Sequence, residues 1–310
     1  MSEDILDKLR LENYALENSK KKEKLSKSAK KEERTAFLFI LVPLIGFVIF
    51  TLISSGFSIY QSFTDYNPIR DSGKWVGFNN YINLFKNKDF INAVSNTVVL
   101  LLSIPLGITA GLLLAVYLKL LAHGSKLLSL LFYLPAVTSA VSICVIWQYM
   151  FNYEYGLINK MFNLHINWFD NNDFFLIKIA IFIKGVWGGM GGTMILYAAG
   201  LNNVPDDYYE CSEIDGASRW QQFMHITVPM VSPTTFYLVV TQIISHLQAY
   251  ADAAIFTKGT KPAQTIIYYI WTYGIEDGKY GMASAAAVSL AVVIALVTII
   301  QFKRSKMFDI

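Results

Sequence analysis

Long stretches without charge alternate with short polar segments along this chain, and the lengths of the apolar stretches set the first reading. A bilayer hydrocarbon core of about 30 Å takes about 20 mostly apolar residues in helical form. No charge falls between Arg34 and Asp65, which predicts span one at 36–61. The gap from Asp89 to Lys119 predicts span two at 92–118, and that from Lys126 to Glu154 predicts span three at 127–150. Span four, 174–199, carries Lys178 and Lys184 inside it. No acid, lysine or arginine separates Arg219 from Asp252, which places span five at 230–254, and span six runs from Met282 to Gln301. Six such segments predict an all-α membrane protein.

Composition agrees. Of the 310 residues, 54% are hydrophobic and 16% charged, against about 25% charged in soluble domains. The first 34 residues alone hold ten Lys/Arg and eight Asp/Glu, so the remaining body is poorer in charge still. A disordered chain, a disulfide scaffold and an ordinary cytosolic enzyme are excluded. Cys144 and Cys211 lie in unlike contexts, so neither a disulfide framework nor a metal site is expected. A net charge of +3 is too small to argue for nucleic acid.

With both termini cytoplasmic, the cytoplasmic segments hold sixteen Lys/Arg and the outer segments eight, the asymmetry expected of a multi-pass plasma-membrane protein. Residues 1–35 form a charged extension followed by too long an apolar run for a signal peptide. It is either a solvated, partly helical tail with its basic end near anionic lipid, or a docking segment. Trp75, Tyr81, Trp168, Tyr268, Tyr269, Trp271 and Tyr273 lie in outer segments, as interfacial belt residues do.

The stretch from 200 to 229, NNVPDDYYECSEIDGASRWQQFMHITVP at its core, is long for a connection between helices. Pro205 is placed at a first helical position, with Asp206, Asp207 and Glu210 in the first turns, where acids suit the helix dipole. Gly216 permits a bend. A second short helix, SRWQQFMHITV, is expected to stop before Pro229. Taken alone, the stretch is either an amphipathic connector or a docking element for a cytoplasmic partner.

Two spans carry unusual residues. Span four holds Gly185, Gly188, Gly189, Gly191 and Gly192 around Trp187, each glycine weakening a helix by up to about 1 kcal/mol. The run fits close helix packing or a widened cavity, with Trp187 offering it a flat aromatic face. In span five, Gln242, Ser245, His246 and Ala249 share one helical face, flanked by Gln248 and Tyr250. Polar groups there point inward, either as interhelical glue or toward a solute path. Lys184 lies about 15 Å into span four at 1.5 Å per residue. It is expected either to pair with Asp252, provided span four begins deeper than position 174, to contact an ordered water, or to face the path and meet an anionic group.

Glu210, Gly216, Ile226 and Pro229 reproduce the spacing E-A-A, three residues, G, nine residues, I-x-L-P. This resembles the signature loop of permease subunits in binding-protein-dependent ABC importers. Cys211 and Ser212 stand for the two alanines and Val228 for the leucine, while the triplet Asp215-Gly216-Ala217 is similar to the carbohydrate branch. LPAVTSAVSICVIWQYMFNYEYGLIN (134–159), GLNNVPDDYYECSEIDGAS (200–218) and FTKGTKP (256–262) also resemble maltose-type sugar permeases, the larger maltose permease partner above all. The resemblance covers roughly 36–306 and implies a type I importer permease fold with cytoplasmic coupling helices. It further implies that Glu210, Cys211, Ser212, Asp215, Gly216, Ala217, Ile226 and Pro229 couple to an ATPase dimer that binds ATP and magnesium. A second homologous permease, an extracellular solute-binding protein and a di- or oligosaccharide cargo complete the implied system. From the residues of spans four and five, with the resemblance implying substrate contacts on the latter, the solute path is expected to include Lys184, Trp187, Gly188, Gly189, Gln242, Ser245, His246, Ala249 and Tyr250, with no catalytic residue.

The chain contains no G-x-x-x-x-G-K-[ST] run, so hydrolysis is expected on another polypeptide. Glycerol phosphate or an acidic sugar is the alternative cargo. A self-contained ion-coupled transporter or channel is the alternative class, disfavoured because the spans lack an Asp/Glu/His relay. A membrane enzyme is a weaker third, since no two carboxylates converge in a span.

Overall fold

The computed structural model describes residues 27–68, 73–121, 123–169, 174–257 and 263–304. Residues 1–26 of the N-terminal extension and most of the 256–262 turn lie outside the described residues, as do Arg70, Lys258, Lys261 and Lys306 of the charge count. The chain divides into two units, Met1–Phe57 and Ser58–Ile310. In the first unit, helix Lys27–Phe47 contains Pro43 and passes into a wider π turn, Val48–Ile53. Every regular element among the described residues is helical, apart from an isolated antiparallel bridge between Thr64 and Trp75.

Among the described residues, four helical stretches are long and apolar enough to cross a membrane: Arg34–Ser62, Lys88–Leu120, Phe175–Asn202 and Tyr280–Lys303. Two bent pairs make six if each is one span: Ser125–Val137 with Ala140–Met150 at 101°, and Arg219–Met230 with Ser232–Leu247 at 63°. The protein is thus a multi-pass membrane protein, but span three is not one helix over 127–150, and the span-five helix, Ser232–Leu247, meets the preceding helix at a bend and ends short of 254. In span three, Pro135 forgoes a backbone donor in the last turn before the break. Thr138 is extended at φ −83°, ψ 145°, and its hydroxyl donates to the Leu134 carbonyl at 2.8 Å. In span five, Pro229 and Pro233 flank Val231, where the bend falls.

Span two is longer than 92–118 because the Asn87 side chain caps it early, accepting from the Asp89 and Phe90 amides at 2.8 and 3.3 Å. Span four stays helical from Phe174 to Asn202 through all five glycines. The reason is packing. A Cβ on Gly191 would collide with the Phe132 carbonyl of span three, so the glycine lets two backbones meet, and that contact offsets its poor helix propensity.

Three cores organise the second unit. Ile104, Ile108 and Leu112 of span two pack with Met194, Tyr197 and Leu201 of span four and Leu238 of span five. Phe90, Ala93, Leu247, Tyr269, Ala285 and Ala286 join spans two, five and six. The third core gathers Cys144, Trp147 and Phe151 of span three and Ile177, Ala180 and Ile181 of span four around Phe256, beyond the end of the span-five helix. Leucines 127, 130, 131 and 134 remain exposed, as residues facing lipid or another subunit would be.

Candidate functional site: the 200–229 loop and the span-five face

The loop folds as two short helices. Asp207–Ile214 begins two residues after Pro205, which precedes the helix instead of opening it. Gly216 adopts φ +78°, a conformation costing other residues about 1–2 kcal/mol. There the Ala217 amide donates to the Ser212 carbonyl at 2.9 Å and the Gly216 amide to Glu213 at 3.1 Å, closing the helix in a Schellman motif. Ser218 then opens the second helix with a capping box, its hydroxyl accepting from the Gln221 amide while the Gln221 side chain accepts from the Ser218 amide. That helix does not stop before Pro229. It continues through a π turn, Phe223–Thr227, to Met230, the wider turn lying just ahead of the proline whose missing N–H breaks the α pattern.

Side chains fuse the two helices. Gln222, buried, donates to the Tyr209 carbonyl at 3.3 Å and the Ser212 hydroxyl at 3.0 Å. The Tyr209 and Thr227 hydroxyls meet at 3.0 Å. Lys119, at the end of span two, reaches Asp206 at 3.4 Å and lies 5.5 Å from the centre of the Tyr209 ring. Between span two and the loop is a cavity of about 600 Å³ walled by Leu113, Val116, Tyr209, Trp220 and Phe223.

Glu210, Cys211, Asp215, Gly216 and Pro229 are exposed, Ala217 and Ile226 half-buried, and Ser212 faces the second helix. Ile214 and Trp220 are also exposed, at 86% and 65%. An acidic helix start beside uncovered apolar side chains is a surface suited to another protein. Sequence reasoning missed Tyr209, Gln222 and Ile214, although Gln222 lies in the quoted loop and is the most buried polar side chain of its second helix before Thr227.

The span-five face divides. The Gln242 amide donates to the Thr193 hydroxyl of span four at 2.8 Å. His246 has Nδ1 at 2.9 Å from the Gln242 carbonyl and Nε2 at 3.3 Å from the Ser103 hydroxyl of span two. Both side chains therefore tie helices together. Ser245 and Gln248 are exposed instead. The helix ends at Leu247, so Ala249 lies beyond it and does not continue the face. Tyr250 packs with Tyr268 and Trp271, the last two stacked at 5.9 Å. Trp187 meets Trp147 edge-to-face at 5.4 Å. A Cβ on Gly188 would meet nothing, and one on Gly189 only the Gln242 side-chain oxygen at 4.0 Å.

Lys184 forms an ion pair with Asp252, the side chains 13% and 22% exposed. Span four is helical from Phe174, close to where the sequence places it. The pair forms because span five stops at Leu247 and the chain packs Asp252–Phe256, a π turn, against spans three and four. No three His, Cys, Asp or Glu among the described residues come together as a metal site.

Residues 103–303 match the family of binding-protein-dependent transport system inner membrane components, and the chain belongs to that family. It is 32% identical over 294 residues to the probable ABC transporter permease protein YesP of Bacillus subtilis, covering 91% of this chain and 94% of that protein. The multiple sugar-binding transport system permease protein MsmF of Streptococcus mutans is 27% identical, covering 88% of this chain and 95% of the relative. A crystal structure of a bacterial alginate ABC transporter, in complex with an alginate pentasaccharide-bound periplasmic protein, aligns with a TM-score of 0.75 at 24% identity. That alignment covers 87% of this chain and 93% of that one and establishes the shared ABC importer permease fold.

Proposed function

We propose that this chain is one of two permease subunits of an importer carrying a neutral di- or oligosaccharide across the plasma membrane. A separate ATPase dimer, binding ATP and magnesium, drives it through the 200–229 loop, and an extracellular solute-binding protein delivers the cargo. Both termini are cytoplasmic, residues 1–35 are an extension and 36–306 the permease domain.

The observation that carries this reading is mechanical. The two loop helices are fused by Gln222 and Tyr209, and a single residue, Val231, separates the second from the span-five helix. A partner that grips the exposed Glu210–Ile214 surface thereby acts on span five through a short, well-bonded lever. Gly216 sets the angle between the grip and the lever.

Cargo chemistry follows from what span five presents. Ser245 and Gln248 are exposed polar groups, Tyr250 closely follows Gln248 in the chain, and its ring packs with Tyr268 and Trp271. Hydroxyl-rich rings use such hydrogen-bonding and flat aromatic surfaces together. Lys184 supports a neutral cargo, because Asp252 already neutralises it. The name of the Streptococcus mutans relative, a multiple sugar-binding system, supports a sugar cargo. Uptake of a panel of labelled glycans by cells holding the chain, its partner permease, ATPase and binding protein tests the reading. Saccharide uptake that vanishes without the ATPase supports it, and uptake that survives that loss overturns it.

A further inference from the structure

Between the end of the span-five helix at Leu247 and the next helix at Ile266, the described backbone is irregular or π-helical. Non-helical backbone buried among packed helices, as around Ala253, Phe256 and Thr265, persists only where protein satisfies its polar groups. Here neighbouring spans do so one group at a time. Cys144 of span three donates through Sγ to the Ala251 carbonyl at 3.7 Å. Gln148, one turn further, donates to the Ile255 and Phe256 carbonyls. Thr97 of span two accepts from the Ile266 amide at 3.1 Å, and Asn96 donates to the Gln264 carbonyl at 3.1 Å. Thr265 donates to the Ala249 carbonyl at 2.7 Å. The Lys184–Asp252 pair adds the only contact of this group in which both partners are charged.

The segment so held begins with Gln248 and Tyr250, and Ser245 lies one turn before it. We propose that Gln148 and the Lys184–Asp252 pair are positioning residues for transport: they seat the interrupted end of span five so that Ser245, Gln248 and Tyr250 present to the solute path. The presentation to a solute rests on the importer reading above; the seating does not. Neither charge of the pair touches cargo. Each cancels the other where an unpaired charge would pull the segment toward water.

Cys144 reports on the seating, because its thiol is buried and bonded to Ala251 within the segment. The test uses the full complex in membrane vesicles with Cys211 left in place, labelling of Cys144 being read from its own peptide by mass spectrometry. The readouts are its rate of reaction with a membrane-permeant maleimide, and saccharide uptake. K184M, D252N and Q148L should each raise the labelling rate about tenfold or more and lower uptake by a similar factor. K184R, which keeps the charge, should stay protected. The double variant K184M/D252N should return labelling and uptake to within about threefold of the parent, since removing both charges leaves neither unpaired. Protection of Cys144 in all three single variants, or a double variant labelled as fast as the singles, overturns the proposal. Labelling needs no solute, so a labelling pattern as expected without saccharide uptake leaves the seating intact and sinks the importer reading alone.

Discussion

Tyr209 and Thr227 join their hydroxyls at 3.0 Å across the bend of the 200–229 loop. The first residue is on the helix that carries the exposed Glu210, the second on the helix that runs into span five, so this contact lies on the proposed route from one to the other. Tyr209→Phe removes it and leaves the buried Thr227 hydroxyl without its partner, at a net cost of about 1 kcal/mol. The protein should reach the membrane at normal levels, while ATP hydrolysis stimulated by solute and binding protein falls several-fold. Stimulation equal to the parent would remove the contact from the route.

Gly216 tests the bend itself. Gly216→Val at φ +78° imposes about 1–2 kcal/mol of local strain, although a Cβ there would meet no neighbouring atom. Strain without a clash should tilt the first helix and lower coupled uptake more than it lowers the amount of folded protein. Equal losses of uptake and of protein would mean that the residue serves folding alone.

The glycines of span four should separate by position. Gly191→Leu drives a side chain into the Phe132 backbone, and overpacking of this kind costs about 1–3 kcal/mol or more. Its membrane yield and thermal stability should drop sharply. Gly188→Ala meets open space and should leave yield unchanged. Size-exclusion profiles of the detergent-extracted complexes distinguish the two.

Span five should separate likewise. Gln242→Leu loses the bond to Thr193, an interhelical bond of about 0.6 kcal/mol on average in membranes. A lower melting temperature with uptake largely kept is expected. Ser245→Trp, on the exposed side, should abolish most uptake while the partner subunits still co-purify. The reverse pattern would exchange the roles of the two residues.

The sequence made some of this legible and not the rest, for physical reasons. Charge gaps located all six segments, and the loop was readable because Gly216 and the acids around Glu210 act through local backbone rules. The break after Leu247 was not, since Gln248-Ala249-Tyr250 contains neither proline nor glycine. The helix stops there where Cys144, Gln148 and Thr265, distant in sequence, offer donors to the carbonyls of the segment beyond it. The same break brings Asp252 to Lys184, a pair that counting residues along the helices allowed only if span four began deeper than position 174. The right-angled turn in span three announced itself only weakly through Pro135. Gln242 and His246 meet Thr193 and Ser103, partners on other spans that the sequence of span five alone could not name.

The exposed start of the first loop helix, on this account, transmits the ATPase cycle to span five. ATP hydrolysis by the assembled complex, measured with and without saccharide-loaded binding protein, tests that transmission most directly when the parent chain is compared with Glu210→Lys. The parent should be strongly stimulated. The variant, altered at an exposed position and hence present in the membrane at parental amounts, should lose nearly all of that stimulation and its uptake together. Full stimulation and uptake in Glu210→Lys would contradict the account.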